Sequence, residues 1–141
     1  MMERGRRIAF DYGDVRIGVA VSDPDSILAS PLITLKTVDK NLTNQISVIF
    51  DDIKPVAIYV GRPVLLSGKE GTSTDKVVGF IEILRTITQV QIEMIDERMS
   101  TISAARNLRD AGHNARDSKN AIDMAAAVAI LEFALEIEKR K

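Results

Sequence analysis

Three acidic residues, far apart in the chain, each stand at the edge of an otherwise apolar segment. Asp11 follows the apolar run at residues 8–10, Glu97 follows a run that ends at Ile95, and Asp123 interrupts an alanine-rich stretch. A carboxylate in apolar surroundings is costly unless it is paired or binds a cation. Because hard oxygen ligands favour Mg²⁺ or Mn²⁺, the three residues together suggest one divalent-metal centre.

Each of these carboxylates also has a plain structural explanation. Asp11 precedes Gly13 and could simply begin a hairpin turn. Glu97 could be a favourable charge at a helix N-terminus, and Asp96 competes for its role, although neighbours on an extended strand point opposite ways. Asp123 could lie in a first helical turn, yet the residues three, four and seven positions later are small or apolar. From these residues alone the turn is the simpler explanation for Asp11, and the choice between Asp96 and Glu97 stays open. For Asp123 we favour metal ligation, because clustered carboxylates mark sites.

Periodicity and turn signals predict the elements that would position these residues. Asp39 is the predicted N-cap of the first helix, and Gly112 ends a helix that starts at residue 100 or 101. The strands are predicted at residues 6–10, 15–22, 33–36, 56–60 and 90–95, and the other helices begin near residues 39, 72 and 118.

This order of elements, β-β-β-α-β-α-β-α-α, predicts a single α/β domain over residues 1–141. A leading antiparallel meander followed by alternating helices and strands indicates a five-stranded mixed sheet with helices on both faces, which is a ribonuclease H-like fold. Asp11 and Glu97 fall at the carboxyl ends of predicted strands, where sites in such sheets often lie.

The composition removes several kinds of chemistry. The absence of cysteine excludes disulfides, thiolate nucleophiles and cysteine-based zinc sites, and the single histidine, His113, excludes a multi-histidine metal site within one chain. No apolar stretch approaches the length of a membrane span, and no hydrophobic signal core follows the N-terminal arginines. We therefore predict a cytoplasmic protein without membrane contact.

The net charge of −1 argues against a polycation that coats nucleic acid, but it allows a local basic face beside an acidic site. For any single basic residue, a solvated surface position is the simpler explanation. The residues that we predict to contact nucleic acid are Arg16, Arg62, Arg98, Arg106 and Arg109.

Four motifs, in order over nearly the whole chain, resemble the YqgF/RuvX family of pre-16S rRNA nucleases, which are also described as Holliday-junction-resolvase-like. The first motif alone is unspecific, because actin-like ATPase domains carry something similar. The motifs are DYGDVRIGVAVSD at 11–23, VGRP at 60–63 with SGKEG at 67–71, DERMST at 96–101, and IDMAAA at 122–127.

The resemblance implies that Asp11, Glu97 and Asp123 are the catalytic, metal-binding triad. Arg62 stands where family members commonly have leucine, and residues 64–66 read Val-Leu-Leu where an asparagine is frequent, so these departures concern substrate contacts.

The implied activity is that of a metal-dependent endonuclease for structured nucleic acid, specifically 5′-end processing of pre-16S rRNA by a monomer or weak homodimer. One alternative is a Holliday junction resolvase that cuts four-way DNA junctions. The other is a non-catalytic RNA-binding ribosome assembly factor. An actin-like nucleotide-binding module is disfavoured, since that fold needs two such domains.

Overall fold

The computed structural model describes residues 3–62, 72–98 and 116–140, with side chains from Thr74 and Met124 onward in the two later helices. Within these ranges the chain forms five strands and three helices. The strands are β1 (Arg7–Tyr12), β2 (Arg16–Ser22), β3 (Ala29–Lys36), β4 (Ala57–Arg62) and β5 (Ile92–Asp96). The helices are α1 (Leu42–Ile53), α2 (Thr72–Ile87) and α3 (Arg116–Arg140).

The strands form one sheet in the order β3-β2-β1-β4-β5, which confirms the predicted mixed sheet. The first three strands are antiparallel neighbours, whereas β4 runs parallel to β1 and β5 runs parallel to β4. Phe10 in the central strand lies opposite Val19 of β2 and Val60 of β4. The carboxyl ends of three parallel strands therefore meet at one edge of the sheet.

The central strand β1 is apolar on both faces because helices cover both sides of the sheet. Ile8 and Phe10 point towards α1 and α2, and Ala9 points towards α3. Phe10 is fully buried and packs edge-on against Phe50, with ring centroids 6.1 Å apart, and against Phe80 at 5.4 Å. The prediction of helices on both faces is thus confirmed.

The opposite face is covered by α3 through a stripe of small side chains. Ala126, Ala127, Ala129 and Ala134 are buried there, interspersed with larger residues such as Ile130. Alanine side chains allow the helix backbone to approach the sheet closely, because they add little thickness between the two.

Several element boundaries differ from those predicted, most of all the start of the edge strand. The edge strand β3 begins at Ala29 rather than at residue 33, and it accommodates Pro31 because the register with β2 shifts between Val19 and Ala20. Proline is tolerated in edge strands at such irregularities.

The first helix has Asn41 as its N-cap, so the prediction of Asp39 was wrong. The Asp39 side chain instead accepts a hydrogen bond from the Asn41 N–H at 2.8 Å, in a turn that precedes the helix. The last helix begins at Arg116, two residues before the predicted start, and the helix predicted between residues 100 and 112 lies outside the described residues. In the described part of the chain, no helix is long and apolar enough to cross a membrane.

Phe10 lies at the centre of the hydrophobic core between the sheet and helices α1 and α2, so its loss should strongly lower the stability of the protein. We expect Phe10→Ala to lower the free energy of unfolding by about 3–5 kcal/mol, because it leaves a cavity between two aromatic partners. Val48→Ala, on the exposed side of α1, should change it by less than about 0.5 kcal/mol. Urea denaturation of both variants measures the difference, and similar values would contradict the assignment of Phe10 to the core.

Candidate functional site

Asp11 is an acidic residue near the carboxyl end of the central strand β1, and it is only 1% exposed. Strand alternation puts it on the α3 face, two residues after Ala9. Its partner on β2 is Gly18, and on the other side Gly61 directly follows Val60, the β4 residue that is paired with Phe10. Asp11 therefore lies between two strands that each have a glycine near it.

Glu97 directly follows β5, and its N–H donates to the carbonyl oxygen of Arg62 at 3.1 Å. A Cβ atom built on Gly61 would lie 3.3 Å from Glu97 Oε1 and 2.6 Å from the Cδ1 atom of Ile130 in α3. Both the Glu97 carboxylate and α3 thus approach the sheet at Gly61. The structure brings Asp11 and Glu97 to the same edge, on either side of this glycine.

Gly61 is a residue of the candidate site that the sequence analysis missed, because the predicted strand ended at residue 60. The structure instead continues β4 through Gly61 to Arg62. The signal was present in the motif at residues 60–63, where a glycine follows a buried strand, and glycine inside a strand often marks a close approach.

Asp123, the third predicted ligand, belongs to α3 and lies seven residues before Ile130, on the helix that packs against this face of the sheet. Its side chain is outside the described part of the structure. Among the side chains that are described, no three acidic or histidine residues form a group that could hold a metal ion. The complete triad therefore stays a prediction.

The described donors nevertheless suit a hard divalent cation. Asp11 and Glu97 offer carboxylate oxygens, the ligands that Mg²⁺ and Mn²⁺ prefer. The Glu97 carboxylate can approach β4 closely because Gly61 has no side chain, and even one methyl group there would press on Glu97 and Ile130. Asp11 and Glu97 are therefore the described residues that would hold such an ion.

Asp96 and Glu97 have separate partners, as expected for neighbours at the end of a strand. The guanidinium of Arg98 binds the Asp96 carboxylate through Nη2 at 2.7 Å and Nε at 3.0 Å, and the Arg98 N–H donates to it at 2.8 Å. The Arg98 guanidinium holds the pKa of Asp96 below its ordinary value. Asp96 is thus engaged by Arg98, and Glu97 is the acid beside Gly61.

Three of the five arginines predicted to contact nucleic acid lie at the same edge as these acids. Arg16 begins β2, next to the residue paired with Tyr12, Arg62 ends β4, and Arg98 follows β5. Arg106 and Arg109 lie outside the described residues. A phosphate that used Arg98 would have to share its guanidinium with Asp96.

Comparison with known proteins identifies the relatives of this chain. Residues 5–137 match the family model described as "RuvX: Holliday junction resolvase", which confirms the family resemblance. A protein of Streptomyces avermitilis named "Putative pre-16S rRNA nuclease" is 41% identical over 140 residues, which cover 98% of this chain and 90% of that protein. A protein of the same name from Nocardia farcinica is 44% identical over 92% of this chain and 76% of its own length.

Among solved structures, the fold is similar to that of Thermus thermophilus RuvC in complex with a Holliday junction substrate, with a TM-score of 0.63. The match covers 96% of each chain at 14% identity, so it supports the ribonuclease H-like fold and nothing finer.

Gly61 should tolerate no side chain. We expect Gly61→Ala to lower the free energy of unfolding by about 1–3 kcal/mol, because the new methyl group must displace Ile130 or Glu97. Gly79→Ala is the matched control: nothing lies within 4 Å of its Cβ position in α2, so replacing a helical glycine there should stabilise the protein by about 0.5–1 kcal/mol. Denaturant titrations that show the same sign for both variants would rule out the close approach at Gly61.

Proposed function

Because the chain belongs to the RuvX family, we propose that it is a metal-dependent endonuclease that processes the 5′ end of pre-16S rRNA. The observation that carries the proposal is the convergence of buried Asp11 and of Glu97 beside Gly61, at the carboxyl edge of a ribonuclease H-like sheet. Relatives at 41–44% identity are named "Putative pre-16S rRNA nuclease", which supports a nuclease for this RNA precursor. Such a substrate implies a cytoplasmic enzyme, acting as one domain and as a monomer or weak homodimer.

In this proposal, Asp11 and Glu97 hold the metal together with Asp123. A divalent ion bound there supplies a Lewis acid that activates water and stabilises the leaving oxygen of a phosphodiester. The chain contributes fixed ligand positions, since Asp11 is held in the central strand and Glu97 is tied to β4 through its backbone. A protein nucleophile is not required, in agreement with the lack of cysteine.

The positions of the aromatic residues favour this enzyme over a non-catalytic RNA-binding factor. Proteins that bind single strands without catalysis commonly stack bases on exposed aromatic rings. All six aromatic residues of the chain are described, and each is buried or packed against a hydrophobic core. They are Phe10, Tyr12, Phe50, Tyr59, Phe80 and Phe133.

Cleavage of four-way DNA junctions is the second candidate, favoured by the description of the matching family. The two activities are distinguished by offering the purified protein a 16S rRNA precursor fragment and a synthetic four-way junction, each with Mg²⁺ or Mn²⁺. Faster, site-specific cleavage of the RNA supports rRNA processing, and preferential symmetric cleavage of the junction would replace it with resolution.

Asp11→Asn tests the metal mechanism, because it removes ligand charge with little change in volume. Outer-shell partners of metal ligands already contribute about 10–100-fold, so loss of a direct ligand should reduce cleavage by about 100-fold or more. The melting temperature without metal should stay the same or rise, since fewer like charges meet in the pocket. Asp51→Asn, on the exposed surface of α1, is the control and should retain wild-type cleavage.

Two results of the same assay would contradict the metal mechanism. Wild-type cleavage that persists in excess EDTA, or an Asp11→Asn variant as active as the Asp51→Asn control, would exclude a metal mechanism at this site.

The Arg16→Ala variant tests which edge of the sheet binds the nucleic acid. Removing one contact between an arginine and a phosphate should reduce the slope of log K against log salt by roughly 0.7 to 0.9. We therefore expect a flatter slope for Arg16→Ala, and an unchanged slope for Arg4→Ala, because Arg4 pairs with Asp25 near the opposite end of β1. Binding titrations use Ca²⁺ in place of Mg²⁺ to suppress cleavage, and equal slopes for the two variants would place the RNA elsewhere.

A further inference from the structure

Arg7 and Glu138 form an ion pair at the end of the sheet opposite to Asp11. Arg7 is the first residue of β1 and is 3% exposed, and Glu138 lies in the last turn of α3 with a side chain that is 19% exposed. Arg7 Nε donates to Glu138 Oε2 at 3.0 Å, and the other carboxylate oxygen accepts a hydrogen bond from the hydroxyl of Tyr59 in β4. One carboxylate thus ties the end of α3 to two neighbouring strands.

Arg7 is itself fixed by further contacts. Its Nη1 donates to the carbonyl oxygen of Gly5 at 2.6 Å and to Ser26 Oγ at 3.0 Å, and its backbone N–H donates to Ser22 Oγ at 2.9 Å. Ser26 adopts a left-handed conformation with φ of 59°, which is unusual for a residue other than glycine. The guanidinium therefore has one defined position from which to bind Glu138.

Tyr59 remains a hydrogen-bond donor to Glu138. Burial first, and then the hydrogen bond to Glu138, raise the pKa of the Tyr59 hydroxyl far above its ordinary value. The hydroxyl is therefore the donor in this hydrogen bond, and the Glu138 carboxylate is the acceptor.

A buried ion pair needs an explanation other than stability. The cost of removing both charges from water often equals or exceeds their attraction, and apolar residues of similar volume frequently do as well. The α3 face that meets the sheet consists of four buried alanines together with Ile130, Leu131 and Leu135. Helices take their position on a partner when such side-chain ridges enter grooves. To this apolar packing, which has little directional preference, the ion pair adds a directional polar contact at the end of the helix.

Among the apolar contacts of α3, Ile130 lies closest to the candidate site, because it fills the space above Gly61. Glu138 lies eight residues beyond it, about 12 Å along the axis, and Asp123 lies seven residues before it, about 10 Å in the other direction. A helix that pivots at Ile130 moves its two ends by similar amounts in opposite senses. Movement of the Glu138 end is therefore transmitted to the position of Asp123.

We propose that Arg7, Tyr59 and Glu138 form a register clamp that positions Asp123 relative to Asp11 and Glu97. They are positioning residues, since they lie at the far end of the sheet and act through α3. The role in metal binding rests on the proposed function, but the control of the α3 position does not.

The chain has no cysteine, so two introduced cysteines can carry spin labels for a distance measurement. We place them at exposed Val48 in α1 and at partly buried Ala125, two residues after Asp123. In the labelled background, Arg7→Met with Glu138→Leu replaces the ion pair by apolar residues. We expect the distance distribution to broaden or shift by about 1–2 Å, the usual size of helix displacements. Affinity for Mn²⁺ should fall by about tenfold or more.

The matched control is the same kind of replacement at an exposed pair in the last turns of α3. Arg140 Nη2 lies 3.2 Å from Glu136 Oε2, and both side chains are largely exposed. Arg140→Met with Glu136→Leu should leave both the distance distribution and the Mn²⁺ affinity unchanged. Melting curves of all labelled proteins verify that each one is folded at the temperature of measurement.

The outcomes separate the clamp from the nuclease proposal. An unchanged distance in the Arg7/Glu138 variant overturns the clamp whatever the metal does. A shifted distance in a protein whose wild type binds no Mn²⁺ supports the clamp and refutes the metal centre. If the double variant fails to fold, Tyr59→Phe removes one of the two tethers and retains the ion pair. Broadening at Ala125 in that variant supports the clamp, and a wild-type distribution overturns it.

Discussion

The burial of the Asp11 carboxylate is the constraint on which the rest of the site depends. A charge at 1% exposure in a central strand is stable only where other groups or a cation compensate it, and space must be left for them. Gly18, its partner on β2, adds no side chain beside it, and Gly61 on β4 allows Glu97 and Ile130 to approach closely. The parallel arrangement of β1, β4 and β5 then brings Glu97 to the same edge. The sheet topology and the positions of the glycines thus bring other groups close to the buried Asp11 carboxylate.

Helix α3 is held to the sheet by two kinds of contact. Four buried alanines allow its backbone to approach the sheet closely, and Ile130, Leu131 and Leu135 fill the space between them. Ile130 lies directly above Gly61. Apolar contacts of this kind have little directional preference, whereas Glu138 between Arg7 and Tyr59 supplies a directional polar contact. The apolar packing brings α3 onto the sheet, and the polar contact defines where its last turn lies.

Local sequence patterns were sufficient to predict much of the fold. They were not sufficient where the structure depends on contacts between residues far apart in the sequence. The strands, their mixed sheet and the location of Asp11 and Glu97 at strand ends follow from alternation and turn signals. The pairing of Arg7 with Glu138 spans 131 positions, and no periodicity indicates it. Gly61 was assigned to a loop because a glycine has no side chain to report burial, and only the packed α3 shows its purpose. Contacts between side chains that are far apart in the sequence cannot be predicted from either segment alone.

For the proposed nuclease, electrostatics couples metal binding to substrate binding. A chain of net charge −1 with carboxylates gathered at one edge repels the phosphates that it must approach. Arg98 offsets this repulsion only in part, because its guanidinium already binds Asp96. A divalent cation between Asp11 and Glu97 would reverse the local charge, and Arg16 and Arg62 would then add to an attractive edge rather than offset an acidic one. In the proposed nuclease the scissile phosphate would therefore be held where the metal is held, and the metal-free protein would repel its substrate at that position.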